Sequence, residues 1–371
     1  MNLTALKQNK RICFITETDL KSQQITGAVV NDLKMLRHLK KFGDVDVVYL
    51  QKDRYRTLWS YLPIYVMQIL RSLSKPYRVY FTRSIIASFI VTSLGTKKGK
   101  VIHLTFSVPF TSTEIRYLKL NIAESIVRFK LYNFFERKAF PKVDIIITAA
   151  DVYAEALTKI GIKPSKIHIL PFFVEDNFFN QPMKRASEIF TFCYIGGFHL
   201  YHSLLPLVEA FELLWKTRNN VNLLFVGNGP QRPKLKREVE RRKLTSKVRF
   251  LGKVPHSSLP SFLSKIDCVV SLIRKSGISI SLLESAASAK AIIAFTPDNT
   301  LKRYFRHGEH IYLVNALSPH AIADAMEMIY KKSSLRNTLA KGAREVAQQH
   351  FNERVFLRHL QALMETIYKE D

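Results

Sequence analysis

Short apolar runs alternate with amphipathic stretches along this chain. Arg11 to Thr16 (RICFIT) reads as a strand, and a loop containing Gly27 follows it. Helical periodicity then runs through VVNDLKMLRHLKKFG and ends at Gly43, before a second strand, VDVVYL, from Val45. That order predicts a βαβ opening, hence a parallel sheet with a right-handed crossover. RVYFT, KVIHLTF and VDIIITA continue the series, and Thr113 to Ala139 reads as a long amphipathic helix or helix pair. A second series begins near Ile189 with IFTFCYIG, VNLLFVG, KVRFLG, DCVVSLI and AIIAF, each followed by a helical segment. Between the two lies KIHILPFFVEDNFFNQPMKRAS, a connector rich in Phe with no clear period. The pattern predicts an α/β chain of two Rossmann-like domains across a cleft. The expected boundaries are 1–170 and 171–351, with a last helix over about 352–371.

A chain of 371 residues is long enough for two such cores, and 47% apolar content excludes a disordered chain. Charge adds a partner class. There are 57 Lys+Arg against 30 Asp+Glu, a net charge of +27 that attracts polyanions unless it only keeps the surface soluble. Residues 51–100 are the most one-sided, with Asp53 as their single acid. RPKLKREVERRKLTSKVRF, from Arg232, reads as an exposed basic helix leading into a strand. Nucleic acid is not an expected partner, because charge alone speaks for it and no helix-turn-helix or RNA-binding aromatic motif accompanies it. Trp59, Tyr61, Tyr65, Tyr77 and Tyr80 lie in the basic 51–100 stretch. Aromatic and aliphatic residues flanked by cations suit an anionic membrane surface, and they equally suit a core helix with a basic rim. Cys13, Cys193 and Cys268 lie in apolar contexts without metal-ligand spacing, which predicts buried thiols in a reducing compartment. MNLTALKQNKRICFI lacks a signal-peptide core, and no run reaches the roughly 20 apolar residues of a bilayer span. A cytoplasmic protein, peripheral to the inner face of the membrane, is expected.

In doubly wound sheets, ligands sit beyond the carboxyl ends of strands. Four glycine-bearing junctions fall there: Gly27, Gly196-Gly197, Gly227-Asn228-Gly229-Pro230 and Ser276-Gly277-Ile278-Ser279. Glycine is ordinary turn chemistry, but it also allows close backbone approach, and helix-start amides favour phosphate oxygens. The last junction runs on as SGISISLLESAASAKAIIAF, with Glu284 alone among small and apolar residues. Glu284 is either a solvated helix residue or a carboxylate that accepts both ribose hydroxyls of a nucleotide.

The order of these segments resembles the retaining glycosyltransferases of family 4, which have the GT-B architecture. SKIHILPFFVEDNFF is similar to that family's linker, and FCYIGGFHLYHSLLPLVEAF to its first donor-domain strand, loop and helix. LLFVGNGPQRPKL, VRFLGKVPHSSLPSFLSKIDCVVSL and SISLLESAASAKAIIA follow in the family's order. The resemblance covers essentially the whole chain and is densest from Ser165 to Val314. It implies that Glu284 is the second acid of the family's E-x7-E motif, which holds the donor ribose. It also implies that Gly277, Ile278, Ser279, Ile280 and Ser281 face the donor sugar and diphosphate. Gly27 matches the glycine-rich loop of the acceptor domain, and the last helix is expected to cross back onto that domain.

The chain departs from the family at four places. The first acid of E-x7-E falls on Ser276, the Lys-Gly pair that grips diphosphate falls on His202-Ser203, and the usual Arg falls on Gly197. The acceptor-domain histidine aligns with Phe106, leaving His103 as a neighbouring candidate. The expected catalytic set is therefore Ser276, Glu284 and His103. Gly27, Gly196, Gly197, His202, Arg274 and Lys275 join the 277–281 segment and Glu284 in donor binding. For His202 a surface position competes with that role, and for Arg274 and Lys275 a solvated loop competes. Helix-start amides and nearby bases suit a diphosphate leaving group without an obligatory metal. The resemblance implies a hexosyl- or N-acetylhexosaminyl-type transferase. It would move sugar from a UDP- or GDP-linked donor to a lipid-linked or cell-surface glycan acceptor, with retention. The rival expectation is an accessory subunit of that fold without turnover.

Overall fold

Every residue of the strand Cys268–Leu272 is buried, and this explains why its sequence, apolar but for Ser271, lacks a polar alternation. Cys268, Val270 and Leu272 pack into one layer, while Val269 packs into another. A strand covered by helices on both faces reads as a continuous apolar run. The computed structural model describes residues 11–21, 27–50, 58–94, 99–105, 122–181, 188–274 and 277–369. Its chain forms two units, one reaching Pro171 and resuming at Leu357, the other spanning Phe172–Phe356.

The first unit holds β1 (Arg11–Thr16), β2 (Asp44–Tyr49), β3 (Val79–Thr82), β4 (Lys100–Thr105), β5 (Ile145–Thr148) and β6 (Ile167–Ile169). They form one sheet in the order β2-β1-β3-β4-β5-β6, with parallel pairing throughout. Helix Leu58–Leu73 turns Tyr65, Ile69 and Ser72 inward and leaves Met67 and Leu70 exposed. The last helix, Glu353–Lys369, returns to this unit, as the sequence leads one to expect. There Arg78 donates to the Tyr368 carbonyl at 3.1 Å and lies over the Tyr368 ring. Where β1 and β3 end, Asp32 accepts from Thr16 at 2.7 Å and pairs with Arg83. Burial pushes the Arg83 guanidinium down to about 10.

The second unit contains β7 (Phe190–Ile195), β8 (Val221–Val226), β9 (Val248–Gly252), β10 (Cys268–Leu272), β11 (Ala291–Phe295) and β12 (Tyr312–Leu313). Their order is β12-β11-β10-β7-β8-β9, also parallel. Read from β9, this is the dinucleotide-fold order, with β7 as first strand and the reversal between β7 and β10. The basic helix expected from Arg232 spans Arg232–Arg241 and buries Leu235 and Val239, one turn apart. All three cysteines are free and buried.

Two strands differ from the sequence pattern. β6 and β12 have three and two residues, too few to show a period, and both are half-buried edge strands. β6 and the turn of helix Asp176–Phe179 lie inside what the sequence shows as an irregular connector. The first long helix runs Gly27–Leu39, so Gly27 opens the helix where the sequence puts it in the loop before.

Candidate functional site

At the reversal point of the second sheet, the chain leaves β7 and β10 in opposite directions, which opens a crevice beyond their carboxyl ends. Loops from four strands are sewn together there. Ser203 N–H donates to the Leu272 carbonyl at 3.0 Å, Arg274 N–H donates to that of Tyr201 at 2.8 Å, and His202 bridges Ile273. Gly196 donates to Val226, and Gly227 donates to Gly252. The buried Gln231 amide caps the carbonyls of His199 and His202. These bonds leave the 196–203 loop little freedom.

Helix Ile280–Ala287 follows the β10 loop. Ser279 caps it, its hydroxyl accepting from Leu282 N–H at 3.2 Å, which satisfies one amide of the first turn. Leu282, Leu283, Ala286 and Ala287 pack into the core, and Glu284 goes in with them at 3% exposure. A buried carboxylate needs a donor. His256, in the turn after β9, supplies it: Nε2 donates to Glu284 Oε1 at 2.7 Å. Nδ1 of the same ring lies 3.7 Å from Glu175 Oε2, and the Phe178 ring packs against it at 5.4 Å.

The structure brings most of the expected donor-binding residues to these loops. Gly196 and Gly197 open the β7 loop, and Ile278, Ser279, Ile280 and Ser281 lie half-buried around the helix start. Gly277 precedes them in a left-handed conformation, φ +103°. His202 is buried, not a surface histidine, and packs on Tyr194 and Tyr201. Burial lowers the basicity of its neighbour His199. Arg274 is exposed, and its guanidinium braces the loop by donating to the Leu200 carbonyl at 3.1 Å. Lys275, Ser276 and Phe106 lie outside the described residues.

His103 needs correction as a catalytic candidate. It sits on β4 with 4% exposure, its Nδ1 2.8 Å from Ser88 Oγ, packed against Phe140. Burial, reinforced by the Arg83 charge, pushes its pKa down to about 3 from 6.5. This is a neutral histidine held in the core of the first unit. Because the unfolded chain takes up a proton near 6.5 and the folded chain does not, the neutral site contributes stability above 6.5. That contribution is lost as pH falls from there towards about 3. Between about pH 7 and pH 5, wild type should lose about 2 kcal/mol more than His103→Asn in urea unfolding.

Sequence reasoning missed His256, Glu175 and Gln231. The signal for His256 was available, since KVPHSSLP is another strand-to-helix junction at a carboxyl edge. Its partner Glu284 is distant in sequence, and spacing does not reveal the pair. Among the described residues no group of three or more His, Cys, Asp or Glu is placed to hold a metal ion.

Residues 176–346 match the family model described as Glycosyl transferases group 1. The capsular polysaccharide biosynthesis glycosyltransferase CapM of Staphylococcus aureus is 23% identical over 305 residues, 76% of this chain and 78% of CapM. Among solved structures, sucrose-phosphate synthase from Thermosynechococcus elongatus superposes with a TM-score of 0.80 at 17% identity, over 98% of this chain and all of that one. Anabaena HepE, solved in complex with UDP-glucose, gives 0.71 at 13% identity over 96% and 99% of the two chains. The two six-stranded parallel sheets are those of the GT-B fold, and the second lies within the residues that match the group 1 glycosyltransferase model.

Proposed function

We propose that this chain is a retaining glycosyltransferase of the family 4 type, taking a hexosyl or N-acetylhexosaminyl group from a UDP- or GDP-linked donor. Its acceptor is a lipid-linked or cell-surface glycan. The observation that carries the reading is the buried, oriented Glu284 carboxylate on the helix that follows the reversal point of the second sheet. An isolated acid has little reason to be buried there unless it accepts hydrogen bonds, and ribose hydroxyls are suited donors. The similarity to CapM, named for capsular polysaccharide biosynthesis, and to a HepE structure holding UDP-glucose supports the same chemistry.

In this reading Glu284 fixes the ribose, and the amides at the start of helix Ile280–Ala287 meet the diphosphate with their positive dipole end. Arg274, Lys275 and His202 add positive charge or donors where the leaving group's charge grows. Ser276 gives the donor sugar a hydroxyl where the family has an acid. The leaving diphosphate assists the incoming hydroxyl, so the same face of the sugar is used. Release of nucleoside diphosphate across a panel of UDP- and GDP-sugars tests this: turnover with one donor supports the enzyme. Tight nucleotide binding without turnover favours the accessory reading, which the serine at position 276 motivates.

The exposed Met67 and Leu70, on a helix in the most basic stretch of a +27 chain, support peripheral membrane contact. No helix among the described residues is long and apolar enough to cross a membrane. Sedimentation with anionic vesicles should fall at least about fivefold in Met67→Glu/Leu70→Glu, and undiminished sedimentation removes this contact from the account.

A further inference from the structure

Glu284 has two carboxylate oxygens, and the fold treats them differently. Oε1 accepts from His256 Nε2 at 2.7 Å. Oε2 accepts no hydrogen bond among the described residues, and it is absent from the polar atoms that are enclosed without a partner. One oxygen is held, and the other is left to be reached from outside. The histidine that does the holding is itself fixed on three sides. Phe178, fully buried, lies against its ring at 50°. Glu175, the residue just before helix Asp176–Phe179, faces Nδ1 at 3.7 Å. The third contact is the bond to Glu284.

We propose that His256 is a positioning residue of the donor site, steadied by Glu175 and Phe178, which locks the Glu284 carboxylate in the orientation that receives the ribose. This rests on the reading of Glu284 as the ribose carboxylate. A glutamate side chain has three rotatable bonds, and fixing it in advance removes an ordering cost that binding would otherwise bear. A hydrogen bond to an ionised group is the stronger kind, so a single ring nitrogen is enough to hold it. His256 does not touch the nucleotide. It acts through the carboxylate, which joins the turn after β9 to the helix after β10.

Calorimetric titration of the full chain with UDP and with GDP tests the proposal, with thermal melting of each variant as a check on folding. For whichever nucleotide binds wild type, His256→Ala should raise Kd about five- to thirtyfold. His256→Gln, whose amide nitrogen reaches about as far as Nε2, should restore binding to within about threefold. The double variant His256→Ala/Glu284→Ala should bind no more weakly than Glu284→Ala alone, because the histidine works only through the acid. Wild-type affinity in His256→Ala overturns the proposal. So does a glutamine variant as weak as the alanine one, which assigns the effect to packing, and so does full additivity in the double variant. If wild type binds neither nucleotide, the donor-site reading itself falls and takes the positioning role with it.

Discussion

Replacing Glu284 with alanine should lower kcat/KM for the nucleotide-sugar donor by about a hundred- to a thousandfold. Two hydrogen bonds between neutral hydroxyls and an ionised carboxylate contribute about 1.5–3 kcal/mol each, of which part is recovered by water in the variant. The loss should fall mainly on donor KM, because ribose is held equally before and during transfer. Glu284→Gln should fall between the two, since an amide oxygen still accepts but without charge. In the alanine variant the Nε2 proton of His256 also loses its acceptor, in surroundings where Glu284 was almost fully buried. Some loss of thermal stability should therefore accompany the loss of affinity. A variant with wild-type donor kinetics would reduce Glu284 to a structural partner of His256.

Gly227→Ala should be the most damaging small substitution in the second unit, at about 4 kcal/mol, or a fall of about 10 °C in Tm. Two causes add. Gly227 has φ +125°, a region open to glycine and strained for other residues. A Cβ placed there would lie 1.9 Å from the carbonyl oxygen of Gly196, so one of the two loops must move. The loop that moves is the one that begins the β7 side of the crevice, and nucleotide affinity should fall together with stability. Gly252→Ala provides the contrast. Its φ is +75°, but nothing lies within 4 Å of the added carbon, so about 1 kcal/mol of backbone strain is the whole penalty. Equal destabilisation in the two variants would mean that loop contact is not what Gly227 serves.

That contrast also shows where the sequence is informative. The strands were legible because a strand buried on both faces has no room for polar residues, as in AIIAF, where alternate residues enter opposite layers. The crossover order was legible because helices and strands alternate throughout. β6 and β12 were not, since two or three half-buried residues carry no period. The same both-faces burial holds KVIHLT, where His103 is a candidate only as a neighbour of Phe106, the position that the resemblance gives to the family's histidine. Ser88 and Thr82 hydroxyls satisfy His103 inside the core, and those residues are remote in sequence. Glu284 stood out for the opposite reason, a single acid in a helix otherwise made for tight packing. What the sequence cannot express is the bond that orients it, because His256 belongs to another strand's turn.

The glycines tell a similar story. Each glycine-bearing junction in the second unit is weak evidence by itself, and only Gly196, Gly197 and Gly277 enter the expected donor-binding set; the neighbours of these glycines divide them further. Gly227 is required by the close approach of another loop, whereas Gly277 turns the chain into the helix that carries Glu284. Local composition does not separate these two uses, because both demand the same absent side chain.

The most direct measurement is a crystal structure of the chain with UDP or GDP bound. The account predicts the ribose hydroxyls within hydrogen-bond distance of Glu284 Oε2, with His256 still on Oε1 and the diphosphate at the amides that begin helix Ile280–Ala287. A nucleotide bound elsewhere, or a ribose turned away from an undisturbed Glu284–His256 pair, would contradict it.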